Sequence, residues 1–212
     1  MCKTIYSITM KKIILIIGFW SLFSCQEKEV LLPQLDRTIT ATIEDHSPIY
    51  MFFKTEATDT LIDVNRKNAI SSTNWIFNID KRLPLRLVVP EIQKLQAKKE
   101  GSAHKSAASE NYISYSDSIQ KQLAFISFTK VIFTLDEPKF GIPIYFAKNN
   151  TIFVNSTEVK KADLVAYLAQ LPGDKPLQII FCFDKNSTYE NLVKNLVFAQ
   201  TKGLQVANVF VY

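Results

Sequence analysis

The sequence predicts an α+β fold written as two tandem units, each a small mixed sheet with one or two helices packed on one face. Three observations carry this expectation. Short apolar runs bounded by turn residues alternate with segments whose apolar residues fall at helical spacing. The hexamer IFNIDK at residues 76–81 returns as IFCFDK at residues 180–185. At the same offset of 104, Val89 pairs with Val193, Ile92 with Leu196, Gln96 with Gln200 and Lys98 with Lys202, while PIY at 48–50 returns at 143–145, an offset of 95. Downstream, KVIF at 130–133 parallels NVFV at 208–211, an offset of 78. Steps between offsets mark insertions: nine residues in the second copy before its Asp-Lys strand, and 26 in the first after its helix.

The chain opens with Lys11-Lys12, an apolar run from Ile13 to Phe23 and then Ser24-Cys25. That run is too short to span a bilayer comfortably, and its order is that of a signal peptide. The Leu22-Phe23-Ser24-Cys25 end resembles a bacterial lipobox, which implies a leader over 1–24 and acylation of Cys25; Met10 is an alternative start. Removing the leader takes away Lys3, Lys11 and Lys12 and no acid, so the formal charge falls from +5 to +2. This is too small to suggest nucleic acid. Cys182 is then the remaining free thiol, and its apolar neighbours predict a small buried hydrophobe.

Residues 25–37 read as an acylated tether and 38–138 as the first unit. Within it, 48–54, 61–64 and 75–79 are predicted strands. Leu85, Val88, Val89, Ile92 and Leu95 predict a helix that Pro90 kinks or restarts. The Ser/Ala/Lys-rich stretch at about 97–115 reads as a polar, mobile insertion. Residues 116–125 read as a short helix with Ile119 and Leu123 inward, and 131–135 as a strand.

The second unit, 139–212, begins with a hairpin over 144–154 turning at Asn149-Asn150. A helix over 163–171 ends at Leu171-Pro172-Gly173-Asp174, and 177–183 is a strand. Ser187 and Glu190 have capping-box spacing, and the helix they open buries Tyr189, Leu192, Val193 and Leu196. Lys202 suits the last turn and Gly203 a left-handed cap. Val206, Val209, Val211 and Tyr212 form a last strand, predicted as an exposed edge able to pair with a partner strand.

The ordered set in 143–212 — hairpin, helix, apolar strand ending in Asp184-Lys185, Tyr189 opening a helix, Gly203 closing it, terminal strand — resembles the periplasmic domain of the ExbD/TolR family. The first unit matches at Asp80 and Lys81, but Leu85 stands in place of the tyrosine. The resemblance implies a non-enzymatic interaction module that works with ExbB/ExbD/TonB-like or Tol-like proteins, or with peptidoglycan. Family members carry a transmembrane helix with an aspartate, whereas the leader here has no acid, so proton conduction is not implied. Two copies in one chain would supply an internal pseudo-dimer.

Asp80 and Asp184 each follow a strand and precede a helix, and they read as structural caps rather than a catalytic pair. His46 and His104 have no metal-ligand spacing. No catalytic set, cofactor motif or metal site is expected. The competing expectation is a periplasmic ligand-binding or hydrolytic lipoprotein that uses a cleft between the repeats. Gln26 after Cys25 favours the outer membrane facing the periplasm, and the following Glu27-Lys28-Glu29 leaves the cell surface open.

Overall fold

The computed structural model describes residues 28–172 and 178–212. Cys25 and the Gly173-Asp174 end of the predicted helix lie outside these residues. In chain order the elements are β1 (Gln34–Leu35), β2 (His46–Glu56), β3 (Asp59–Asn65), β4 (Asn74–Ile79), α1 (Leu85–Glu100), β5 (Asn111–Asp117), β6 (Gln122–Ser127), β7 (Ile132–Thr134), β8 (Ile142–Phe146), β9 (Ile152–Val154), β10 (Thr157–Glu158), α2 (Leu164–Ala169), β11 (Ile179–Phe183), α3 (Tyr189–Thr201) and β12 (Asn208–Val211). The class is α+β, with two mixed sheets and three helices among the described residues.

The first sheet runs β3-β2-β4-β5-β6, with β1 docked on the end of β5. The second runs β10-β9-β8-β11-β12-β7. In both, a hairpin comes first, its leading strand pairs in parallel with the Asp-Lys strand, and a helix crosses to the next parallel strand. The register also matches. Pro48, Ile49, Tyr50 and Met51 face Ile76, Phe77, Asn78 and Ile79; Pro143, Ile144, Tyr145 and Phe146 face Ile180, Phe181, Cys182 and Phe183. These are the pairs related by offsets of 95 and 104.

Central strands β4 and β11 are nearly continuous apolar runs because both faces are covered. Phe77 and Ile79, like Phe181 and Phe183, point to the helices; Ile76, Ile180 and Cys182 point the other way. Leu85, Val88, Val89, Ile92 and Leu95 form the buried stripe of α1, and Tyr189, Leu192, Val193 and Leu196 that of α3. Pro90 does not interrupt α1. One core cluster contains residues of both halves.

Several expectations change. Of the predicted insertion, Ala97–Glu100 finish α1 and Asn111–Asp117 are a strand interior to the sheet, leaving only turns at 101–110. The counterpart of β12 is therefore β5: Phe77 faces Ile113 as Phe181 faces Val209, an offset of 96, not 78. Relative to the second half, the first gains only eight residues there, the difference between 104 and 96.

The predicted helix over 116–125 is instead the β5–β6 hairpin, and Ile119 and Leu123 are exposed. Its turn is set by Asp117, whose carboxylate accepts from the N–H groups of Ile119 and Gln120. Strand β7, assigned above to the first unit, pairs with β12 in the second sheet. Residues 28–37 are not a free tether. Leu31 O accepts from Lys81 N–H (2.8 Å), Pro33 O from Ser116 N–H (2.8 Å), and Leu35 O from Ser118 N–H (2.7 Å), while Thr40 bridges to the outer edge of β6 at Phe125. The segment satisfies strand-end and edge groups that would otherwise be unpaired.

Candidate functional site: the seam between the two sheets

The residues singled out by the expected repeat meet at one place. Each Asp-Lys strand ends in a tight turn set by its aspartate. Asp80 Oδ1 accepts from Arg82 N–H (3.0 Å) and Asp184 Oδ1 from Asn186 N–H (2.7 Å). The aspartate carbonyls accept from Leu83 (3.1 Å) and Ser187 (2.9 Å). These are Asx turns lying upstream of the helices, so the aspartates shape the strand-to-helix turn and do not cap the helix ends as predicted.

The helices begin at Leu85 and Tyr189, with Pro84 and Thr188 before them, and neither has a side-chain cap. The first-turn N–H groups need partners all the same. Leu85 N–H donates to Ser187 O (2.9 Å) and Tyr189 N–H to Leu83 O (2.8 Å). Arg86 N–H donates to Lys185 O (2.8 Å) and Glu190 N–H to Lys81 O (3.2 Å). At an offset of 104 each pair of bonds is one bond written twice, and Pro84 bridges to its own counterpart, Thr188. The four bonds are thus reciprocal, each donor and acceptor on one side answered by the residues 104 positions away.

This explains why the Ser187–Glu190 capping box does not form. The Glu190 amide is already bonded across the seam; its carboxylate pairs with Lys194 (3.2 Å), and Ser187 Oγ accepts from Asn191 Nδ2 (3.2 Å). Lys81 and Lys185 contribute carbonyls rather than ammonium groups. Gly203 takes φ +70° as predicted. Leu204 N–H reaches Ala199 O (2.9 Å) and Gly203 N–H reaches Gln200 O (3.1 Å), a Schellman closure. Lys202 is the cap residue just beyond α3.

The two aspartates differ electrostatically. Asp80 is fully buried. Burial pushes its pKa up, but the Arg82 guanidinium and the N–H groups of Arg82 and Leu31 outweigh that and hold it below the usual carboxylate range. Arg82 grips it through Nε (2.9 Å) and Nη2 (2.7 Å) and stacks over Phe53. Asp184 is half-buried, and among the described residues it has no ion-pair partner. Tyr189 is wholly buried, and its hydroxyl has no hydrogen-bond partner among the described residues.

The predicted partner edge is overturned. β12 lies between β11 and β7, with Val209 and Val211 buried and Val206 half-buried, because β7 crosses over to cover it. The Cys182 thiol is buried, and burial raises its pKa to about 11, against a reactive thiolate. Among the described residues no group of three or more His, Cys, Asp or Glu is placed to hold a metal ion.

Sequence reading missed two sites. Gln34–Arg37, Ser118, Lys161, Lys194, Val197 and Phe198 line a depression of about 410 Å³ between the N-terminal segment and α3. A second, also about 410 Å³, lies on the outer face of the second sheet between Tyr145, Phe153 and Tyr212. The predicted two-residue turn at Asn149-Asn150 would set Tyr145 opposite Val154; the observed pairing of Tyr145 with Phe153 centres the turn on Asn149 and puts the two rings face to face. No family model, curated protein or solved structure matches the chain.

Proposed function

We propose that the chain is a lipid-anchored, non-enzymatic interaction module of the bacterial envelope, made of two ExbD/TolR-like units joined as a single-chain pseudo-dimer. Its work would be accessory to ExbB/ExbD/TonB-like or Tol-like proteins, or to peptidoglycan. The observation that carries this reading is the reciprocal seam. Four main-chain bonds exchange equivalent groups of the two halves, the arrangement expected of a dimer interface now held within one chain. Supporting it, the second half presents a hairpin, a short helix, the Asp184-Lys185 strand, a helix opened by Tyr189 and closed by Gly203, and a last strand, in the order the resemblance requires.

Acylation at Cys25 would place the body close to the membrane. Three peptide units, at most about 11 Å when fully extended, separate Cys25 from Lys28, where the described residues begin. The test is cross-linking in intact cells, followed by recovery of the acylated protein. Enrichment of ExbB-, ExbD-, TonB- or Tol-like proteins supports the reading; recovery of none of these, nor of peptidoglycan, overturns it.

The depression beside α3 favours a second reading, a ligand-binding lipoprotein. There the Lys161 ammonium donates to Asn195 Oδ1 (2.7 Å) and sits over Phe198, with Lys194 near it. A small anion co-purifying with the protein would favour that reading.

A further inference from the structure

The outer face of the second sheet, turned away from the core, is aromatic. Tyr145 and Tyr212 lie 5.7 Å apart between ring centres. Phe153 is the direct cross-strand partner of Tyr145, and Cys182 lies beside Tyr145 on the same face. Pro143, Asn155 and Ser156 complete the wall of the depression of about 410 Å³. Two carboxylates act on these rings. Burial raises the Tyr145 hydroxyl pKa and the charge of Asp184 raises it further. Burial, then Cys182, then Glu137 raise that of Tyr212, to about 12. The depression itself is walled by ring faces, which attract cations, and the two carboxylates lie outside its lining.

The first half shows how such a face is filled. On its hairpin, Tyr50, the counterpart of Tyr145, stacks on Phe52 (5.8 Å). The Lys28 ammonium lies 5.7 Å from the Phe52 ring centre and is held by Asp63, the cross-strand partner of Phe52. Lysine, aromatic face and carboxylate form one set, supplied by an extended segment of the chain itself. In the second half, among the described residues, no lysine or arginine lies over Tyr145, Phe153 or Tyr212. The depression adjoins β10, whose outer edge is the open end of the sheet.

We propose that this aromatic depression is a binding site for the protonated side chain of a lysine or arginine, presented by an extended segment of a partner protein that runs along the open β10 edge. Strand addition supplies main-chain bonds, and the depression selects the side chain. The proposal rests on the interaction-module reading, but its failure is separable. The cell experiment asks whether an envelope partner exists; the titration below asks what one face of the molecule recognises.

The full chain in detergent is titrated with an extended peptide bearing a central lysine and with versions bearing norleucine or glutamate, followed by calorimetry and backbone amide NMR. The lysine peptide is expected to shift amides of β8, β9, β10 and β12 and to bind roughly ten-fold tighter than the norleucine peptide, the scale of a desolvated cation–π contact. Phe153→Ala and Tyr212→Ala are expected to lose about that factor. Tyr145→Phe retains binding, since the ring face remains, and Glu137→Gln weakens it a few-fold; these two mild variants report even if the alanine variants unfold. Equal binding of the norleucine peptide would make the face a plain apolar groove and overturn the proposal. So would tetramethylammonium binding as tightly as the peptide, or shifts confined to other elements.

Discussion

Pro84 and Thr188 face one another across an antiparallel bridge, and each is the residue immediately before its helix. Both helices therefore start at the same point in space. Each uses the chain just ahead of the other as its cap, so the two halves are interdependent at their least satisfied backbone groups.

Neither half should fold alone. Cut at the loop before β7, fragments 26–128 and 129–212 each lose the carbonyls that cap their helix and half of the shared core. Mixed together they are expected to give a 1:1 complex with a cooperative melt, while each alone melts without a transition. Sedimentation and circular dichroism check this; a stable isolated fragment with native helix content would refute it.

Tyr189→Phe should stabilise the protein. The hydroxyl is buried without a partner, and such a group costs about 1–3 kcal/mol. Its removal leaves the ring packing intact. The expected rise is about 1 kcal/mol, roughly 2–4 °C in Tm for a chain of this size, read by thermal denaturation.

Asp80→Ala should destabilise by about 1–3 kcal/mol, the cost of leaving buried donors unmet, because the N–H groups of Leu31 and Arg82 lose their acceptor, while the Arg82 guanidinium is half-exposed and is rehydrated. The pH dependence has a definite sign. The folded pKa lies below the unfolded value of about 3.9, so this contribution is complete above about pH 4 and is lost as pH falls through the folded pKa. Urea midpoints between pH 2 and 6 should fall less steeply for Asp80→Asn than for the parent.

Lys99 gives a slope of the same sign at the other end of the pH range. Its ammonium is buried, donating to Glu110 O (2.8 Å) and Asn111 Oδ1 (3.2 Å) beside the Trp75 ring. Burial, with Lys105 adding to it, pushes its pKa down to about 8. The unfolded lysine keeps its proton to about pH 10.4, so between these values the unfolded chain holds more protons and Lys99 favours the fold increasingly as pH rises. Cys182 works the other way above about pH 8.5, so the quantity to follow is the difference from Lys99→Met. Parent stability minus variant stability should climb between pH 8 and 10.

Much of this architecture is legible in the residues. β2, β4, β8 and β11 announce themselves as apolar runs, and α1 and α3 by the spacing of their buried residues. β5 does not, because its buried polar groups find partners far away in sequence. The single Ser114 hydroxyl proton is shared between Asn78 Oδ1 (2.8 Å) and Phe77 O (3.1 Å), Asn111 receives Lys99, and Asp117 receives Thr38. Hydropathy sees only their polarity. The turn into β6 uses Lys121 at φ +54° without a glycine, so no turn signal marked it. The capping box at Ser187 and Glu190 misled because local spacing cannot know that another helix supplies the acceptors. The aromatic depression was not legible, since Tyr145 meets Phe153 only with the turn centred on Asn149 rather than on Asn149-Asn150, and Tyr212 joins them only once β12 is placed beside β11.

The four bonds joining the helix starts run between main-chain atoms, so almost any side chain can stand at those positions. Substitutions can pile up in either half without loosening this joint, provided that none introduces a proline at a donor. Side chains in the two halves can therefore differ widely while the helix starts stay joined.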